Sequence, residues 1–262
     1  MTTRYLLLFF IFASVATHAQ NRRFLEKVDA TEPVFYTESE PVSEQRLDLK
    51  NFDVSHNAGL FIGTINSERE RRFRIILEQD SLLNQIALAG IDSYNKKRYI
   101  HSKTWRQESK SIKFALQYHH SKNKIYSAHA FTVDLLDLEF TQGYYCDKRN
   151  DESDLHLYKG KRPKITDPED ENYVEPIPLF AITEKQMGER ILNILSKGTL
   201  GRDLLSKKYS RVGVAVKVDK HSLHANIRPE LFVILIFGGK QLQDIKVPKD
   251  VADGSFDNVE EE

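Results

Sequence analysis

Two apolar stretches decide the fold: RVGVAVKV at residues 211–218 and ELFVILIF at residues 230–237. In the first stretch, valines at 212, 214, 216 and 218 alternate with smaller or polar residues, a pattern typical of a half-buried strand. The second is apolar at every position after Glu230, which predicts a central strand covered on both faces. Gly238–Gly239 ends it. We therefore expect two adjacent antiparallel strands in the middle of the molecule.

Helices are predicted on either side of these strands. Thr183 and Gln186 have the spacing of a capping box, which starts a helix by satisfying two backbone N–H groups. Apolar residues then recur with helical spacing, at Met187, Ile191, Ile194 and Leu195. This pattern predicts a helix over 184–197 that packs on the sheet. Similar stripes predict a second helix over about 80–97 and another that begins near Gly59.

The N-terminus has the features of a secretory signal peptide. Arg4 precedes an apolar run over residues 5–16, and Thr17–His18–Ala19 supplies the small residues of a cleavage site. The apolar run is much shorter than the roughly 20 residues that a transmembrane helix needs. We expect cleavage before Gln20 and export to the periplasm or the medium, with no membrane span.

The predicted domain organisation follows from changes in composition. Residues 1–19 form the signal peptide, and the polar segment 20–57 is predicted to be an extended N-terminal arm. One domain is expected over 58–246, interrupted by a charged, proline-containing loop insertion at 147–178. The acidic tail at 247–262 is expected to fray.

Composition excludes several classes of protein. The chain has 38 basic and 38 acidic residues, so no global charge favours nucleic acid. Cys146 is the single cysteine, which excludes an intrachain disulfide scaffold, and we interpret it as a packing residue rather than a nucleophile. Residues 92–128 are locally basic and rich in aromatic residues. They indicate either a patch for anionic polymers or, as we favour, a solvated face over buried aromatic side chains.

Several motifs follow one another along the chain. INSER at 65–69 and DSLLNQIA at 80–87 come first, LNILSKGTLGRDLLSKKYSRVGVAV follows at 192–216, and Phe237–Gly238 comes last. Together they resemble the CAP superfamily, which includes cysteine-rich secretory proteins, insect venom antigens and plant pathogenesis-related proteins. The first two motifs look like the two N-terminal helices of the family, and residues 192–216 with Phe237–Gly238 are similar to the C-terminal signature of its bacterial members. The resemblance implies an α+β fold, an α–β–α sandwich with a small antiparallel sheet between helices.

The resemblance also implies a cleft, which in the family usually holds two histidines and two acidic residues that can bind zinc. His101 matches the first histidine, but the expected glutamate falls at Ala130, beside His129, and the second histidine falls at Thr199 or Leu200. The chain therefore departs from the family at two or more ligand positions. We expect no metal and no cofactor, and we take His101, His129 and Glu189 as the candidate residues of the cleft.

Two functions from different classes remain open. The first is an exported bacterial CAP-like binding module, without catalysis, for an extracellular or periplasmic lipid, glycan or protein. The alternative is a metal-assisted hydrolase using His101 and His129 with an acid from Glu139 or Glu189. A third possibility is an unrelated exported α+β domain. A Ser-His-Asp hydrolase has no support from the sequence, because no serine lies in a nucleophile-elbow motif.

Overall fold

A β-sheet between two layers of helices organises the protein. The computed structural model describes residues 19–41, 44–49, 51–94, 102–119, 124–137, 143–147, 156–218 and 229–240. The helices are α1 (residues 19–29), α2 (Val54–Arg71), α3 (Ser81–Tyr94), α4 (Ser102–His119), α5 (Glu184–Leu195) and α6 (Gly198–Leu204). The strands are β1 (Glu78–Gln79), β2 (Lys124–Asp134), β3 (Tyr144–Asp147), β4 (His156–Lys159), β5 (Arg211–Val218) and β6 (Glu230–Lys240).

The main sheet of the described residues has the strand order β1-β5-β6-β2. Strands β5 and β6 are antiparallel neighbours, with Val214 opposite Leu235, which confirms the pairing predicted from the sequence. Strand β2 runs antiparallel along the other side of β6. The two-residue β1 instead pairs parallel with β5, because the chain there passes along the sheet edge from α2 to α3. The prediction of a wholly antiparallel sheet is wrong at that edge.

Alternation along β5 and β6 separates two buried layers, which makes the fold an α+β, α–β–α sandwich as predicted. Val212, Val214, Val216 and Val218 pack with the apolar residues of α2 and α5 in one layer. Ala215 packs in the other layer with residues of α1, α3 and α4. At Gly213 a Cβ atom would lie only 2.3 Å from a backbone carbon of Leu83. The backbones of α3 and β5 are therefore in direct contact there.

The helix starts are set by local side chains. The capping box of Thr183 and Gln186 is formed as predicted, with both reciprocal hydrogen bonds present at the start of α5. Asp80 accepts hydrogen bonds from the backbone N–H groups of Leu82 and Leu83, and so begins α3. Both helices thus start where the polar residues of the sequence indicate.

The N-terminal arm is not simply extended. Residues 19–29 form α1, and Phe24 and Val28 are buried in the layer with α3 and α4, so the prediction of an extended segment is wrong there. Between α1 and α2 the described residues include no helix and no strand longer than an isolated bridge, but Tyr36 and Leu47 are buried there. The side chain of Gln79 holds both backbone polar groups of Tyr36, at 2.8 and 2.6 Å. The segment is helical because its few apolar residues pack into the core, although its overall polar composition does not indicate a helix.

Two other predicted segments are the charged insertion and the acidic tail. The charged insertion at 147–178 is not all loop, because β4 lies within it and pairs antiparallel with β3. The acidic tail at 247–262 lies outside the described residues. In the part of the chain that is described, no helix combines the length and the apolar character needed to cross a membrane.

Helix α2 ends in an unusual way. The N–H of Arg74 donates to the carbonyl of Arg69, and the N–H of Phe73 donates to that of Glu70, each at 2.8 Å. This pair of bonds is the Schellman motif, whose left-handed position is usually glycine. Here Phe73 occupies it with φ of 54°. The left-handed conformation costs a bulky residue about 1–2 kcal/mol. Burial of the Phe73 side chain does not offset this cost, because the side chain is 96% exposed.

Arg69 holds this helix end against the rest of the fold. The residue is 1% exposed, and its guanidinium donates to the carbonyls of Ile75, at 2.7 Å, of Leu204, and of Tyr209, at 3.3 Å. Burial lowers the pKa of the guanidinium, and the positive charge of Arg74 lowers it further. One side chain therefore joins α2, the loop after it and the segment that follows α6.

Candidate functional site

A polar cluster lies where strand β2 faces helix α6. Ser127 and His129 are two residues apart on β2, so their side chains share a face. His129 Nε2 lies 2.9 Å from Asp203 Oδ2 on α6 and 2.9 Å from Ser127 Oγ. The Ser127 hydroxyl also donates to Asp203 Oδ2 at 2.5 Å. The three side chains thus form a closed set of hydrogen bonds.

Aromatic rings pack against this cluster. Tyr209 stacks on Phe237 of β6 with 5.6 Å between ring centroids, and His129 meets the same ring edge-on at 6.0 Å. Burial raises the pKa of the Tyr209 phenol, and the charge of Asp203 raises it further. Ser127 also acts on the pKa of this phenol, so the phenol lies close to both Ser127 and Asp203. Ser127, His129, Asp203 and Tyr209, which we call the Asp203 cluster, are therefore held in one arrangement.

The Asp203 cluster lines a cleft of about 610 Å³. Hydroxyl groups of Thr199 and Ser206 and the cationic side chains of Arg202 and Lys208 also contribute to its wall. His129 is 15% exposed and Asp203 24% exposed, so solvent reaches both groups. The volume falls in the range of small-molecule sites, and the wall offers many hydrogen-bonding groups.

The cluster contains serine, histidine and aspartate, but its geometry is not that of a catalytic relay. In such a relay the serine binds one ring nitrogen of the histidine and the aspartate binds the other. Here Ser127 and Asp203 both lie at Nε2 of His129. Moreover, the Ser127 hydroxyl directs its proton to Asp203 rather than to the imidazole. The arrangement therefore does not prepare Ser127 as a nucleophile.

The residues predicted to form the site do not all lie in the cleft. His129 lies in the cleft, whereas His101 and Glu139 lie outside the described residues. The predicted acid Glu189 is an exposed residue of α5, and the acid beside His129 is Asp203. Within the described ranges, histidine, cysteine and acidic side chains form no group of three or more that could hold a metal ion.

The positions that depart from the family pattern can also be located. Thr199, where the resemblance puts the second histidine, lines the same cleft as His129. Ala130, where it puts a glutamate, packs in the opposite layer with α3 and α4. The side chain of Ala130 therefore points away from the cleft, so Ala130 does not occupy the place of the glutamate that the resemblance implies.

A second polar pair was not anticipated from the sequence. His56, near the start of α2, lies with Nε2 2.8 Å from Oε1 of Glu184 at the start of α5. Glu184 is 2% exposed and His56 is 40% exposed, beside a smaller cavity of about 250 Å³. The two residues are 128 positions apart, so no local pattern could have indicated the contact.

Part of the basic stretch lies in α4. Lys110 and Lys113 are exposed there, while Ile112, Ala115 and Leu116 are buried against the sheet. For this part of the stretch, the structure agrees with a solvated basic face over a buried apolar one.

Comparison with known proteins adds no family to these observations. No protein-family model matches the chain, and no curated protein matches it.

Proposed function

We propose that this protein is an exported, CAP-like binding module without catalytic activity, and that the cleft at the Asp203 cluster holds its ligand. The observation that carries the proposal is the convergence of Ser127 and Asp203 on a single nitrogen of His129 in an accessible cleft. Such a set of mutually bonded groups presents fixed donors and acceptors to a ligand. It does not provide the separated acid and base that hydrolysis requires.

The resemblance to CAP proteins supports the same conclusion. The signature at 192–216 covers the end of α5, all of α6 and most of β5, so it forms one wall of the cleft and contributes one strand to the central sheet. The sandwich of helices around that sheet is the architecture that the resemblance implies. An exported CAP-like protein with a cleft but with an altered tetrad is consistent with binding rather than with metal-assisted hydrolysis.

The ligand is best sought among acidic glycans. Three hydroxyl-bearing residues, Ser127, Thr199 and Ser206, and the phenol of Tyr209 match the hydroxyl groups of a sugar. Arg202 and Lys208 supply positive charge on the same wall, which favours a sugar that carries a carboxylate.

The first test compares matched sugars. We expect saturable binding of glucuronic or galacturonic acid oligosaccharides in isothermal titration, and weaker binding of the neutral glucose and galactose counterparts. Arg202→Gln should weaken the acidic ligands about tenfold, since a hydrogen bond to a charged group is lost, and should hardly affect the neutral ones. Lys185→Gln, an exposed change on α5, is the matched control.

A zinc titration separates this proposal from the hydrolase. A one-to-one zinc site of micromolar or tighter affinity that disappears in both His101→Ala and His129→Ala would favour the metal-assisted alternative. The absence of binding to every acidic and neutral sugar would reject the glycan part of the proposal.

Export is tested separately. Mass spectrometry of the protein from its host should find a mature N-terminus near Gln20, because signal peptidase cuts after small residues such as Ala19. A chain that begins at Met1 in the exported fraction would contradict the prediction. A start several residues beyond Gln20 would remove part of α1, and the thermal stability of such a species should be lower because Phe24 anchors that helix.

A further inference from the structure

An exposed apolar tip follows helix α2. In residues 72–76, here called the Phe73 loop, the side chains of Phe73, Ile75 and Ile76 are 96%, 82% and 52% exposed. Three large apolar side chains within four positions form a protruding patch that monomeric proteins usually avoid, and such patches commonly mark contact sites.

The tip is held rigidly despite its exposure. The Schellman bonds close the end of α2, and the buried guanidinium of Arg69 fixes the carbonyl of Ile75 to the segment after α6. Because the loop is already ordered, it loses little conformational entropy when it enters a binding surface. The left-handed conformation of Phe73 also directs the ring into solvent rather than back over the helix.

Positive charge surrounds the apolar tip. Arg71, Arg72 and Arg74 lie in or next to the loop, and Lys207 and Lys208 are exposed on the segment that Arg69 ties to it. Glu68 neutralises part of this charge through contacts of 2.8 and 2.6 Å with Arg71 and Arg72. Glu70 and Glu78 are exposed nearby, and the basic groups still outnumber the acidic ones.

We propose that the Phe73 loop inserts into the headgroup–acyl boundary of an anionic lipid bilayer and docks the protein on that surface. Aromatic and aliphatic side chains enter this boundary, while guanidinium and ammonium groups stay at the level of the phosphates. A protein groove would also accept Phe73, but the surrounding cations match an anionic surface better than an apolar pocket. The Phe73 loop itself does not line the glycan cleft, with which this surface shares only Lys208, and the inference does not depend on that function.

The experiment measures sedimentation of the mature chain with vesicles. We expect binding to phosphatidylcholine vesicles that contain 30% phosphatidylglycerol, and little binding to phosphatidylcholine alone. Phe73→Gly should weaken the binding about tenfold or more, because most of the buried aromatic area is lost. The same variant should melt at or above the wild-type temperature, since glycine suits the left-handed position. Loss of binding therefore cannot be attributed to unfolding.

Two further variants complete the test. Lys207→Glu should weaken binding to the anionic vesicles about tenfold, since each cation near such a surface contributes to attraction and Lys207, unlike Lys208, does not line the glycan cleft. Phe180→Ser is the matched control. This phenylalanine is 51% exposed beside Arg46, near the opposite end of α2, and its replacement should leave vesicle binding unchanged.

Clear results would overturn the proposal. Failure of the wild-type chain to bind anionic vesicles would do so, as would wild-type binding by Phe73→Gly. If vesicles are not bound and Phe73→Gly instead abolishes a concentration-dependent self-association, the loop is a protein contact and the membrane proposal is wrong. Asp203→Asn should not change vesicle binding, so failure of the cleft proposal can be told apart from failure of this one.

Discussion

Val214→Asp is expected to abolish cooperative folding. The side chain is fully buried at the middle of β5, in the layer that packs against α2 and α5. An aspartate there must either bury a charge without a partner or bind a proton, and each costs several kcal/mol. Since most domains are stable by only about 5–15 kcal/mol, we expect a loss of about 4 kcal/mol or more to leave the chain largely unfolded.

The measurement is thermal unfolding followed by circular dichroism, together with the dispersion of amide resonances. Val174→Asp provides a matched control, because it makes the same chemical change at a valine that is 70% exposed. That variant should melt within a few degrees of the wild type. A Val214→Asp protein with a wild-type melting temperature would show that β5 does not lie in the core of the sheet.

Arg69→Met is expected to give the second large effect. Methionine fills much of the same space but donates no hydrogen bond, so the carbonyls of Leu204 and Tyr209, in buried residues, lose the partner that Arg69 provides. Each buried polar group left without a partner costs about 1–3 kcal/mol. We therefore expect the free energy of unfolding in urea to fall by about 3 kcal/mol or more. The free energy of unfolding of Arg69→Lys should lie between those of the wild type and Arg69→Met, because an ammonium group cannot reproduce the planar, forked donor geometry of a guanidinium.

Arg71→Met is the matched control for this change. Arg71 is 69% exposed and pairs with Glu68, which Arg72 also contacts, so its loss should cost less than about 1 kcal/mol. Equal losses for Arg69→Met and Arg71→Met would contradict the role of Arg69 as a clamp. Because Arg69 holds the segment at 204–209, Arg69→Met should also weaken ligand binding in the cleft, whereas Arg71→Met should not.

Elements whose signals lie within a few residues of one another were predictable. The helix α5 follows from a capping box and from apolar spacing, both of which act within one or two turns. Strands β5 and β6 follow from alternation and from continuous apolar character. Their pairing was also predictable, because a strand with two apolar faces has to lie inside a sheet.

Features that depend on distant contacts were not predictable in the same way. Strand β5 continues beyond the end of its short neighbour β1. There the backbone N–H of Val214 donates to the side chain of Asn84 on α3, at 2.8 Å. The burial of α1 likewise depends on packing with α3 and α4. In a polar sequence, two buried residues in eleven give too weak a periodic signal to identify such a helix.

The candidate site shows the same division. Ser127 and His129 share a face of any strand, so their closeness was available from their spacing once β2 is assigned. Asp203 lies 76 residues from Ser127, and only the folding of α6 against the edge of the sheet brings it within hydrogen-bonding distance. Glu189, the acid chosen from the sequence, is exposed on α5 and does not line the cleft that contains His129.

The sequence by itself determined the α+β class, the central pair of strands and the helix that packs on them, because apolar periodicity and capping are local properties. Tertiary structure decided which polar groups meet. It placed Asp203 beside His129, buried the guanidinium of Arg69 among backbone carbonyls, and left Phe73 in solvent at a position that usually holds glycine. The physical reason is that hydrogen bonds and exposure at these residues depend on chain segments brought together from far apart, and no spacing along the sequence encodes those distances.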